Sequence, residues 1–395
     1  MKEVFIVSAK RTATGGFLGA LRSFSATELG SIAIKHSYQA VGVDPENIDA
    51  VYFGNVLSAN LGQSPARQAA IGAGLPVQAD CTTVNKVCAS GMKAIMLGAQ
   101  QIMLGQADLV MTGGMESMSN VPHYTIQRTG TKLGDLQLTD GLLKDGLTDA
   151  YHHFHMGNAA ELCAREFGIS REAQDEYALQ SYAKASNATR AGKFAREIIP
   201  ITIKEKNADV IFDKDEDIAK IIPGKVPLLR PVFEQNGTIT AANASNLNDG
   251  AAALLLAAPE AVDKYGLQPL AKIISFADAA QAPEKFTTSP SLAIPKALAY
   301  AGLSLDNMDL AEINEAYAAV MIANQQLLGL DMKKVNVYGG AVAMGHPLGA
   351  SGARITCTLL SALQQEGGRY GIAAICNGGG GASAIIIENL VNNLI

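Results

Sequence analysis

Residues 86–95, Lys-Val-Cys-Ala-Ser-Gly-Met-Lys-Ala-Ile, place a cysteine at the mouth of a helix built from small and apolar residues. Met92, Ile95, Met96, Ala99 and Met103 continue the run at spacings of three and four, so one helical face is apolar and its methionines read as core filling. The run leads to "ADLVMTGG", a strand followed by glycines. Far downstream the arrangement recurs: Ser351-Gly352-Ala353-Arg354 opens a helical run that leads to "YGIAAICNGGGG". Two similar α/β halves facing one another would bring both helix starts and both glycine turns to one central cleft. The flanking sequence agrees, since "EVFIVSA" and "DAVYFGNVL" read as strands alternating with the helices "ATELGSIAIKHSYQAVG" and "SPARQAAIGAG".

The chain has 395 residues, 48% apolar and 17% charged, with net charge −6. That composition fits a compact protein and offers no basic tract for nucleic acid. "AAALLLAAPE" is too short to span a bilayer, and the start of the chain lacks a signal-peptide core. Five cysteines without a close pair fit a reduced, cytoplasmic setting. Between 119 and 247 the α/β rhythm gives way to a polar, turn-rich insertion, expected to form a lid or binding face. It contains a helix running from Ser170 to a stop at Gly192, and a charged run, "DKDEDIAK", that reads as solvated surface.

Four elements could carry chemistry. Cys88 at a helix start could have its acidity raised, and the small residues after it leave room for a bulky group; it could equally be an inert buried thiol. His346, between Gly345 and Pro347, could take a thiol's proton near neutral pH. Cys376 ends a strand before four glycines whose backbone N–H groups could bind an oxyanion or phosphate; no dinucleotide or P-loop signature accompanies them. In "EINEAYAAV", Asn314 could orient a water or a carbonyl, though it could also be a turn residue and Glu315 a surface charge.

Taken in order, "NKVCASGMKA", "GGMESMS", "HMG", "GTITAANASNLNDGAAA", "NEAYA", "GGAVAMGHPLGASGAR" and "CNGGGGASA" resemble the thiolase family over essentially the whole chain, most closely its short-chain biosynthetic members. The resemblance implies a thiolase-like α/β fold, two similar halves with central helices between mixed sheets. It also implies an N-terminal half (1–118 and 248–270), an inserted loop domain for coenzyme A (119–247), and a C-terminal half (271–395). The implied activity is acetyl-CoA C-acetyl transfer: reversible Claisen condensation of two acetyl-CoA by a ping-pong acyl-cysteine route. Cys88 would be the nucleophile, His346 its activator and an oxyanion donor, and Asn314 the holder of a water at that site. Cys376 would be the acid/base, and the N–H groups of Cys88 and Gly378 a second oxyanion hole. His155, Met156, Leu147, Phe233, Ala241 and Ser245 would contact the acyl-CoA. The family further implies a homotetramer, coenzyme A thioesters as substrates with no tightly bound cofactor, and no metal in the chemistry.

Departures from the family pattern are few. "NAAEL" follows "HMG" where many relatives carry Thr and Asn, and Tyr317 stands in place of a phenylalanine, adding a hydroxyl beside the acyl pocket. "FADAA" at 276–280 resembles the potassium loop of mitochondrial-type members, but Ile218 lies where their tyrosine ligand belongs. That argues against potassium activation. The rival within the family is a degradative 3-ketoacyl-CoA thiolase of broader chain length, against which His155 speaks. Ketoacyl and hydroxymethylglutaryl-CoA synthases use one cysteine with other partners. A non-catalytic acyl carrier would tolerate loss of the cysteines and histidine present here, and a papain-like protease would need no second thiol.

Overall fold

The computed structural model describes residues 1–204 and 208–391. Nine principal strands form one hydrogen-bonded sheet: β1 (Phe5–Thr12), β2 (Ala50–Gly54), β3 (Asp80–Val84), β4 (Leu109–Ser117), β5 (Asn248–Ala257), β6 (Ala271–Ala280), β7 (Leu310–Ile313), β8 (Tyr370–Asn377) and β9 (Gly381–Asn389), in the order β7-β8-β9-β6-β1-β5-β4-β2-β3. The order is nearly a palindrome. Outward from β1 the antiparallel neighbours β5 and β4 are followed by the parallel β2; outward from β6, β9 and β8 are followed by the parallel β7. The two mixed sheets are therefore continuous, joined by the short β1–β6 pairing at Phe5–Lys272 and Ile6–Ala271.

Period-two burial explains the layers. On β5, Ala252, Leu254 and Leu256 face one core, while Ala251, Ala253, Leu255 and Ala257 face another. On β9, Ile385 and Ile387 share the first of those cores and Ala384 and Ile386 enter a third. Strands covered on both faces need such unbroken apolar runs, which accounts for "AAALLLAA". The shared core holds the central helices α3 (Ser90–Met103) and α8 (Leu348–Glu366), represented by Met92, Ile95, Ile355 and Leu359. Helices α1 (Ala26–Gln39) and α2 (Pro65–Gly72) cover the outside of one half. Helices α6 (Pro290–Ala301) and α7 (Ala318–Leu328) cover the other. The resulting stack is helix, sheet, helix, sheet, helix.

Helices α3 and α8 meet backbone to backbone. A methyl group added at Gly352 would lie 2.5 Å from the Met92 nitrogen, and one at Gly91 2.9 Å from the Ala353 nitrogen. Only glycine permits this approach, and it brings the two helix starts, with Cys88 and His346 beside them, into one place.

The segment 119–247 is tied into the rest of the chain. Its long helix α5 (Arg171–Arg190), capped by Ser170, sends Ala178, Tyr182 and Ala185 into the shared core. Its short strand Ile198–Ile199 pairs with β1. "DKDEDIAK" is not solvated surface: Asp215 and Asp217 are each only 4% exposed. Asp215 receives two bonds from the buried Arg11 guanidinium, at 2.7 and 3.0 Å, and Glu197 accepts a third at 2.6 Å. Removing one member of such a buried set costs about 3–5 kcal/mol, because its partner charge is left uncompensated. "FADAA" likewise is not a loop but the end of β6, where Asp278 is engaged by Lys86 and Lys93.

Candidate active site

Cys88 lies in a tight turn between β3 and α3. Ser90 Oγ accepts from the Lys86 N–H at 2.8 Å and donates to the Val87 carbonyl at 2.6 Å. Asn85 Oδ1 accepts from the Val87 N–H at 3.0 Å. Val87 is held at φ +47°, a left-handed conformation that a β-branched residue avoids at a cost of about 1–3 kcal/mol. The strained turn leaves the Cys88 side chain half-buried, opening into a cavity of about 370 Å³. The helix proper begins at Ser90. Burial pushes the Cys88 thiol up to about 12, against the rise in acidity that a helix start would give. The backbone N–H groups of Gly378 and of Cys88 itself oppose this, and the nearby Glu116 charge adds to it.

The cavity also exposes Leu147, His155, Met156, Phe233, Ala241, Ser245, His346 and Gly378, together with Tyr317. Asn314 and Cys376 are each 1% exposed and sit behind this lining. Cys376, one residue before the end of β8, packs against Met156, Phe286 and Tyr317, and burial raises its thiol well above the ordinary range, with the Cys88 charge contributing. The surface-charge reading of Glu315 is corrected. It is 1% exposed and accepts from Tyr177, Ser181, Asn336 and the Val342 N–H, so it anchors the end of β7 beside Asn314. The residues after "HMG" form helix α4 (Met156–Glu166) rather than a loop. His155 caps it by accepting from the Gly157 N–H at 3.0 Å and stacks on Phe233 with ring centres 4.6 Å apart.

The hydrogen-bond arithmetic at His346 assigns its tautomer. Ser351 Oγ contacts the Pro347 carbonyl at 2.8 Å and His346 Nδ1 at 2.6 Å; with its one hydrogen on the carbonyl, the ring nitrogen donates. Nε2 therefore carries a bare lone pair, is buried, and has no hydrogen-bond partner. Asn314 Nδ2 lies 3.5 Å from Nδ1, and Asn314 Oδ1 is likewise unpartnered. No hydrogen bond joins Cys88 to His346 among the described residues; they meet through the cavity they share. Burial, with the Arg354 charge, pushes His346 down to about 3, so the ring is neutral at ordinary pH.

Four residues unassigned from the sequence build this geometry. Ser351 fixes the tautomer. Asn248 Oδ1 accepts from the His346 N–H at 2.8 Å, while its amide donates to Asp217 at 2.7 Å. A side chain at Gly345, φ +95°, would collide with Asn248. Glu116 accepts from Asn55 Nδ2 and from the N–H groups of Val56, Leu57 and Gly349, clamping the start of α8 to the neighbouring half. Burial pushes Glu116 up to about 7 against the three backbone donors, and the Asp249 charge adds to the rise. Asn248 and Glu116 sit inside quoted motifs, but only their distant partners reveal what they do.

A buried neutral histidine has a consequence for stability. The unfolded chain binds a proton near pH 6.5 that the folded ring refuses until about pH 3, so stability falls as pH drops through that window. Between pH 4 and 6, the slope of unfolding free energy against pH is expected to be about 1.4 kcal/mol per unit steeper in the native protein than in His346→Gln. Urea unfolding at fixed pH values measures the difference.

Known proteins resemble this chain along nearly its whole length. The thiolase N-terminal domain family matches residues 4–260 and the thiolase C-terminal domain family residues 267–389. The acetyl-CoA acetyltransferase of Schizosaccharomyces pombe is 55% identical over 391 residues, covering 98% of this chain and 99% of that one. Acetyl-CoA acetyltransferase 2 of Arabidopsis thaliana is 55% identical over 393 residues, covering 98% of each. Among solved structures, the Acat5 thiolase of Ascaris suum in complex with coenzyme A superposes with a TM-score of 0.94 at 46% identity, covering 98% of this chain and all of that one.

Proposed function

Because the chain belongs to the thiolase family, we infer that it is an acetyl-CoA C-acetyltransferase, which forms and cleaves acetoacetyl-CoA. One observation carries the assignment of this activity to the cavity. Cys88 opens into an apolar pocket that His346 also lines, the backbone N–H groups of Gly378 and of Cys88 itself act to lower its thiol's pKa, and His346 Nε2 is buried without a hydrogen-bond partner.

In the thiolysis direction, His346 Nε2 takes the Cys88 proton and the thiolate attacks the 3-keto carbon of acetoacetyl-CoA. The C2–C3 bond breaks, the acetyl group stays on sulfur, and the departing acetyl-CoA enolate takes a proton from Cys376. Incoming coenzyme A then returns a proton to the Cys376 thiolate and attacks the acetyl-enzyme. The released Cys88 thiolate recovers its proton from His346. Condensation is the reverse, and both thiols begin and end neutral, as their burial favours. The protonated Nε2 and a water on Asn314 would serve the enolate oxygen; the N–H groups of Cys88 and Gly378 would serve the tetrahedral oxyanion.

Coenzyme A is the substrate's handle in this reading, with the pantetheine passing Leu147, Met156, Phe233, Ala241 and Ser245. A second cavity of about 490 Å³ shares Ala241, Asn246 and Leu247 with the first and carries Lys225, suited to the nucleotide's phosphates, beside Lys220, which is paired with Glu216 and Asp217. The domain plan is that of two halves, 1–118 with 248–270 and 271–395, around an insertion at 119–247; residues 205–207 and 392–395 of these spans lie outside the described ones. A homotetramer accords with the exposed Ile126, Leu133, Leu136 and Leu138 on the insertion, and a cytoplasmic setting with five free thiols. Among the described residues no helix is long and apolar enough to cross a membrane. Potassium activation is not part of the proposal, since the Asp278 carboxylate is already held by two lysines.

The stacked His155 and Phe233, with Phe233 edge-on to Tyr317, narrow the acyl end of the pocket. Thiolysis of acetoacetyl-CoA is therefore expected to exceed that of an eight-carbon 3-ketoacyl-CoA by about 100-fold or more in kcat/KM, since added methylenes would have to displace these rings. Parallel assays of the two substrates check this, and equal or better turnover of the longer one would make the protein a degradative thiolase.

A further inference from the structure

The two sulfurs of the proposed reaction stand on different halves of the molecule. Cys88 rides a turn attached to β3, whereas Cys376 and Gly378 belong to the β8–β9 hairpin. Their separation has to be held across the boundary, and the Cys88 turn is strained at Val87. We propose that Lys86 and Asp278 form the clamp that sets this separation, acting as positioning residues for the nucleophile.

The contacts run straight between the two sites. Lys86 Nζ donates to Asp278 on β6, to Ser383 Oγ on β9 at 2.9 Å, and to the Ala382 carbonyl at 3.5 Å. In the sheet Asp278 pairs with Ser383, and Ala382 lies opposite Cys376 itself. Ser383 Oγ donates to Asp278 at 2.6 Å, and Lys93, one turn into α3, donates to the second Asp278 oxygen at 2.7 Å. Both ends of the segment bearing Cys88 are thus fastened to a single carboxylate, two strands away from the second thiol. Lys86 and Asp278 remain about one-quarter and one-third exposed at their side chains, outside the cavity that binds substrate, so their effect has to pass through the turn.

This inference rests on the acyl-cysteine reading, and its test separates the two. Lys86→Met and Asp278→Asn are each expected to lower kcat for thiolysis and condensation by about 100-fold while KM for acetoacetyl-CoA changes by less than about threefold, because misplacement by an ångström penalises reaction geometry and spares binding. Lys86→Arg, which keeps the charge and the donors, recovers most of kcat. The rate of Cys88 alkylation by iodoacetamide, followed by peptide mass, changes in the Met and Asn variants and returns in Lys86→Arg. Lys86→Met together with Ser383→Ala decides the matter if Asp278→Asn does not fold. The clamp is overturned if these variants keep kcat and Cys88 alkylation within about threefold of the native protein, or if lost activity only tracks lost folded protein. A native protein without thiolysis activity contradicts the acyl-cysteine reading instead, and the alkylation rates still judge the clamp.

Discussion

Replacing Cys88 by alanine is expected to lower kcat for acetoacetyl-CoA thiolysis by about 10⁵–10⁶-fold, with the fold retained. The size follows from the loss of a covalent route. Without the sulfur no acetyl group can be parked while one coenzyme A leaves and the next enters, and the remaining donors have no tetrahedral intermediate to stabilise. Stability changes little by comparison, since Cys88 is only half-buried and borders the cavity. Steady-state assays with the thermal midpoint measured in parallel check both parts. Residual turnover within tenfold of native would remove Cys88 from the mechanism.

Cys376→Ala is expected to fail differently. The α-carbon of acetyl-CoA is far less acidic than the thiol of coenzyme A, so the C–C step depends on a placed acid/base and the exchange step depends on it much less. Condensation and acetoacetyl-CoA cleavage should fall by about 10⁴-fold, whereas exchange of label between acetyl-CoA and coenzyme A should fall by about 100-fold or less. Cys376 is 1% exposed, and the alanine replaces it in a cluster with Met156, Phe286 and Tyr317, so Cys376→Ser serves as the variant of conserved size. An isotope-exchange assay beside the condensation assay reads the split. Equal loss in both would make Cys376 part of the acylation apparatus alone.

What the sequence disclosed, it disclosed through local pattern. The recurrence of Ser-Gly helix starts pointed to two helices meeting at one cleft, and α3 and α8 pack at Gly91 and Gly352. The run at 251–257 was legible only as too short for a bilayer; it is β5, which, like β9, divides its side chains between cores. Long-range electrostatics left no such trace. The run around Asp215 and Asp217 looks like solvated surface because the partner guanidinium, Arg11, lies 204 residues away from Asp215. Glu315 had the same appearance while its partners Tyr177 and Ser181 lie on α5. Asp278 was grouped with a loop, although its neighbours Lys86 and Lys93 flank Cys88. The helix-start argument for Cys88 acidity considered the dipole alone; the fold adds desolvation and the Glu116 charge, which outweigh it.

The central claim is that Cys88 carries the acetyl group between the two half-reactions. Brief incubation with acetyl-CoA, acid quenching and peptide mapping by mass tests it directly. The account predicts one added acetyl group, on the peptide containing Cys88, removed when coenzyme A is supplied. An acetyl group found on Cys376 instead, or no acetyl-enzyme while condensation proceeds, would contradict it.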